Sequence, residues 1–127
     1  MSTRCTINFC TDDGELVAKI YRHCDGYPDG EHGVLADLAR FFADVQQQCS
    51  NDTRFNDPAY LAAKYVVWQA ARNARSAKAP LNFLSLGVTV SDPPDIAYTY
   101  QVTASHGHAL PAVTFHEARD RFAPEVL

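Results

Sequence analysis

Residues 16–45, LVAKIYRHCDGYPDGEHGVLADLARFFADV, change period partway along. At the start Leu16, Ala18 and Ile20 alternate with Val17, Lys19 and Tyr21, the two-residue period of a strand. At the end Val34, Leu35, Leu38, Phe41, Phe42 and Val45, then Cys49, recur every three or four residues, which marks an amphipathic helix. Asp37, Arg40 and Asp44 are expected on its exposed side. Between the two periods lies Tyr21-Arg22-His23-Cys24-Asp25-Gly26-Tyr27-Pro28-Asp29-Gly30-Glu31-His32-Gly33, a strand-to-helix corner. There Pro28 fixes φ, and Gly26, Gly30 and Gly33 supply backbone conformations closed to other residues.

Working outward, Cys5, Ile7 and Phe9 alternate with Thr6 and Asn8, and Asp12-Asp13-Gly14 turns this strand into the next as a hairpin. Downstream, Asp57-Pro58 is a helix start, because Asp accepts from free N–H groups and Pro loses nothing at the first helical position. This helix is expected to run through Tyr60, Leu61, Tyr65, Val67, Trp68 and Ala71 to about Ala77. Arg72, Arg75 and Lys78 complement its dipole, and Pro80 ends it. Leu84 to Val90 alternate as a third strand, Ser91-Asp92-Pro93-Pro94-Asp95 reads as a turn, and Ile96 to Thr103 form a fourth. After a Ser105-His106-Gly107-His108 loop comes a fifth, Ala112 to His116, and a possible helical turn from Glu117 limited by Pro124. The order β-β-α-α-β-β-β predicts one α+β domain over residues 1–127. It would have a mostly antiparallel five-stranded sheet, two helices on one face, and the other face open for a partner.

The chain has 46% hydrophobic and 20% charged residues, a globular composition. Eleven Lys and Arg against fifteen Asp and Glu give a net charge of −4, which argues against nonspecific nucleic-acid binding through phosphates. No apolar run reaches the ~20 residues of a membrane span. The N-terminus has no apolar signal core, so a cytoplasmic location is expected. Cys5, Cys10, Cys24 and Cys49 contain no Cys-x-x-Cys pair, and they are expected as free thiols.

The corner carries the chemistry-bearing residues. His23, Cys24, Asp25 and His32, with His106 and His108, are zinc-ligand types, but their spacing matches no ligand pattern, so no metal and no cofactor are expected. His23 with Asp25 or Asp29 offers acid–base chemistry, and a small enzyme acting on a nucleotide or other phosphorylated substrate through His23 and Asp25 is the alternative reading. The leading reading is binding. Tyr21, Arg22, His23, Asp25 and Tyr27 would present aromatic and bidentate contacts on a backbone set by Gly26, Pro28, Gly30 and Gly33.

The run Tyr21-Arg22-His23-x-Asp25-Gly26-Tyr27-Pro28-x-Gly30, the following His32-Gly33, the Thr3-Arg4 start and the later Tyr98-x-Tyr100-x-Val102 resemble a family of small proteins from bacteriophages, prophages and related bacterial genomes. Its members often carry an aromatic residue where this chain has Cys24, and a shorter gap before the second glycine. The resemblance carries over no catalytic residue. It implies a phage or mobile-element protein working in the host cytoplasm. Such a protein would counter a host defence system, as an anti-CRISPR-type inhibitor of a protein complex or as a sponge for a small nucleotide signal. An assembly protein without a defence role, and a homo-oligomer, are left open.

Overall fold

The computed structural model describes residues 3–49, 54–73, 81 and 84–118. In chain order these form β1 (Cys5–Cys10), β2 (Leu16–Arg22), α1 (Val34–Gln48), α2 (Pro58–Asn73), β3 (Leu86–Thr89), β4 (Tyr98–Thr103) and β5 (Ala112–Glu117). The expected order of elements is found. The extension of α2 to Ala77, its Arg75 and Lys78, Pro80 and the helical turn towards Pro124 lie outside the described residues.

β1 and β2 make the expected hairpin, with Ile7 opposite Ile20, a bulge at Phe9/Cys10 and Gly14 at φ 86° in the turn. The sheet order is β3-β2-β1-β4-β5. The sheet is mixed, not mostly antiparallel, because β4 runs parallel to β1, with Cys5 beside Tyr98 and Phe9 beside Val102. The reason lies in the 91–95 segment. It is not a hairpin turn but a crossover that leaves the β3 edge and passes β2 and β1 to reach the far side of β1. Three strand spacings are ~14 Å, within the ~26 Å that eight extended residues can span. Pro93 and Pro94 donate no backbone hydrogen bonds, which suits a segment that crosses strands without joining them.

Cys5, Ile7, Phe9, Ile20, Tyr100 and Val102 line one sheet face and share a single core with Val34, Leu38, Phe41, Val45, Phe55, Leu61 and Tyr65. Tyr65 sits at its centre, with ring contacts to Phe9 at 6.0 Å and Phe41 at 5.3 Å. Both helices therefore cover this face. The opposite face, expected to be open, is partly strapped by the crossover. Asp92 accepts from Thr6 Oγ1 and pairs with Lys19 Nζ, and Asp95 pairs with Arg4. Thr6, Lys19 and Thr99 are buried on this face. No helix among the described residues is long and apolar enough to cross a membrane.

Candidate functional site

Strand alternation splits the motif. Tyr21 and His23 lie on the strapped face of the sheet, with the Tyr21 hydroxyl 2.8 Å from His23 Nδ1. Arg22 points to the helix face and is buried, 5% exposed, where a surface contact was expected. Its guanidinium has five N–H donors, and five acceptors meet them. Nε donates to the Cys24 carbonyl at 2.9 Å. Nη1 donates to Asp37 Oδ2 at 2.8 Å and the Tyr65 hydroxyl at 2.9 Å. Nη2 donates to the Asp25 and His32 carbonyls at 3.0 and 3.1 Å. Arg22 thus ties three carbonyls of its own corner to both helices.

Asp37 is the counterpart, also 5% exposed and not on the exposed side of α1 where it was expected. Oδ2 accepts from Arg22 and Gln69, and Oδ1 from Arg72 at 2.9 Å and Arg40 at 3.2 Å. Burial pushes its pKa up, but the hydrogen bond from Arg72 and the charge of Arg22 outweigh that and hold the carboxyl below its usual range. Burial likewise works against the charge on Arg22, and Tyr65 and Asp37 more than offset it.

The corner backbone is fixed just as tightly. A Cβ on Gly26 would lie 2.8 Å from the Thr3 carbonyl oxygen and 2.9 Å from Cys5 Cβ, and one on Gly33 2.3 Å from the Asp29 carbonyl oxygen. Close approach, not an unusual φ, therefore demands these two glycines, which corrects the conformational role expected of them. Gly33 is the N-cap of α1 at φ −72°. Positive φ falls instead on Gly30 at 89° and on Asp25 at 56°, where Arg22 holds the Asp25 carbonyl. Buried Pro28 and the Gly26 carbonyl, which accepts from Tyr100 Oη at 2.7 Å, complete the turn.

What the corner presents outward is Asp25, Asp29, Glu31 and His32, all exposed, with half-buried Tyr27 and His23. Tyr27 Oη donates to Asp25 Oδ1 at 3.1 Å, and burial together with this bond raises the phenol pKa. His23 and Asp25 each bond a tyrosine and not one another. Among the described residues no group of three His, Cys, Asp or Glu side chains is placed to hold a metal ion.

A second feature had no sequence signal. A groove of 740 Å³ runs between the outer sides of α1 and α2, with Phe41, Val45, Tyr60, Val67 and Trp68 among its walls. Tyr60 and Val67 are each 69% exposed. The core-facing residues of α2 are Leu61, Ala62, Tyr65 and Gln69.

Comparison of the chain with protein-family models, curated proteins and solved structures gives no match.

Proposed function

We propose that this is a non-catalytic protein that binds a host or defence-system protein complex through the outer rim of the corner, where His23, Asp25 and Tyr27 supply the contacts and Tyr21, on the adjoining sheet face, bonds His23. The observation that carries this is the saturation of Arg22: all five of its donors are engaged inside the protein, three donating to corner carbonyls. A loop so fixed loses little conformational freedom on association, which favours affinity. The two tyrosine-paired polar groups, Tyr21–His23 and Tyr27–Asp25, add aromatic surface with preset polar tips. Arg22 holds this rim from beneath and makes no partner contact. The resemblance of Tyr21–Gly33 to phage and prophage proteins supports a bacterial host as the source of the partner.

Affinity capture from host lysate tests this. The wild-type protein should retain one host protein or complex, and Tyr27→Ala and Asp25→Ala should lose it while melting within a few degrees of wild type. Retention by both variants sinks the reading. A nucleotide released by heating the purified protein would replace the protein partner with a small-molecule signal.

A further inference from the structure

The groove between α1 and α2 is apolar along its length and basic at one end. α1 and α2 run antiparallel, since Asp37 bonds Arg72 and Gln69 at one end and Asp44 bonds Trp68 Nε1 further along. The groove extends from Phe41 and Ala71 to Cys49 and Ala59. Just beyond its Phe41 and Ala71 end stand Arg40 and Arg72, 42% and 37% exposed. Both reach Asp37 Oδ1 through Nη1, and Arg40 Nη1 also donates to the Glu31 carbonyl. Nε and Nη2 of each make no hydrogen bond to a described residue. Three arginines, Arg22 included, thus surround one buried carboxylate. Arg72 Cζ also lies over the Trp68 ring, 4.4 Å from its centroid. The groove's own charged residues are Lys64 and Asp44, and Asp44 is engaged by the Trp68 indole.

A surplus of oriented guanidinium donors beside an apolar trough calls for an anion attached to an apolar body. The trough follows α2 from Ala59 to Ala71, which at ~1.5 Å per residue is the length of about three helical turns. Tyr60 and Val67 stand up along it as ridges. We propose that the groove seats an amphipathic helix of a protein partner. Its apolar residues pack between Phe41, Val45, Tyr60, Val67 and Trp68, and an Asp or Glu one turn beyond them pairs with Arg40 and Arg72. This rests on the reading that the protein works by binding another protein, and it adds a contact surface separate from the corner rim.

Trp68 is the only tryptophan in the chain, so its fluorescence reports on the groove directly. The probe is a synthetic helix of about four turns with leucines at i, i+4, i+7 and i+11 and a glutamate one turn beyond, compared with the same peptide carrying lysine there. The glutamate peptide should shift Trp68 emission saturably, and the lysine peptide should bind roughly ten-fold more weakly. Val67→Glu, at an exposed helix position, should abolish binding while its circular dichroism stays that of the wild type. Arg72→Gln should remove the preference for glutamate over lysine. A missing saturable response, equal binding of the two peptides, or undiminished binding by folded Val67→Glu overturns the proposal. So does self-association of the wild type that Val67→Glu relieves, since a second copy would then fill the groove. Asp25→Ala should bind the peptide normally, so failure at the groove and failure at the corner read separately.

Discussion

Arg22 on β2 and Asp37 on α1 meet at 2.8 Å inside the protein, with side chains only 6% and 7% exposed. This one contact joins the sheet, the corner and the first helix, and Arg72 and Gln69 extend it to the second.

Arg22→Ala should therefore be among the most destabilising single changes in the chain. Removing one partner of a buried pair costs about 3–5 kcal/mol, and here three corner carbonyls lose their donor as well. Arg22→Lys should recover only a minor part, because one ammonium cannot reproduce a planar fork that reaches five acceptors. Urea unfolding of both variants measures this. A loss within ~1 kcal/mol for Arg22→Ala would return the arginine to the surface role that the sequence suggested.

Acid should act through Asp37. Its folded pKa lies below the unfolded value of about 3.9, so at pH values between the two the unfolded chain binds the extra proton. The stabilisation is complete above about pH 4 and is lost as the pH falls through the folded pKa. Urea midpoints followed from pH 5 downward should fall more steeply for wild type than for Asp37→Asn. Parallel curves would show that the carboxylate is not the acid-sensitive element.

Substitutions at the corner glycines should rank by contact distance. Gly33→Ala and Gly26→Ala meet backbone at 2.3 and 2.8 Å and should block folding or cost several degrees of melting temperature. Gly30→Ala meets only Tyr27 at 3.9 Å, so its cost is that of a positive φ, ~1 kcal/mol. Tyr100→Phe should cost about 1–3 kcal/mol by leaving the Gly26 carbonyl buried without its donor. Thermal melts of the four variants suffice. Equal losses for Gly30→Ala and Gly33→Ala would contradict the close packing.

Thiol reactivity should divide the four cysteines in two. Burial pushes the Cys5 thiol up to about 12 and raises Cys10, whereas Cys24 and Cys49 are partly accessible. With a thiol reagent at neutral pH, Cys24 and Cys49 should react first and all four should react after denaturation. Rapid labelling of Cys5 in the native protein would show that the central strand is not sealed.

The strands and helices were legible because each has its own period: the alternation through Tyr98, Tyr100 and Val102, and the three-four spacing from Val34 to Val45. Asp37 was not legible. Spacing sets it three residues after Val34 and four before Phe41, at the border of the apolar stripe, where a carboxylate is expected outward unless cations wait inside; besides Arg40 on its own helix, those cations come from β2 and from the far end of α2. The same non-local pairing hid Arg22. The crossover was missed because Ser91-Asp92-Pro93-Pro94-Asp95 has the composition of a tight turn. What distinguishes it is where β4 finds its neighbour, and that choice depends on the vacant side of β1. Within the corner, the need for glycine and proline was readable, but the reason at Gly26 and Gly33 was not, since it lies in atoms of Thr3, Cys5 and Asp29.

The parallel neighbour of β1 also sets an order of events for the chain as it leaves the ribosome. β1 can close against β2 at once, through a short turn, but its other side waits for Tyr98–Thr103, most of the sequence later. Until that segment arrives and the crossover is laid across the hairpin, the backbone groups along one side of Cys5–Cys10 have no mate. They form an unpaired strand edge, flanked by the apolar side chains of Cys5, Ile7 and Phe9 and open to any other extended chain. Truncations that stop short of β4 should therefore accumulate as aggregates and not as smaller folded proteins. β1 is completed only by a strand that follows both helices and β3 in the chain.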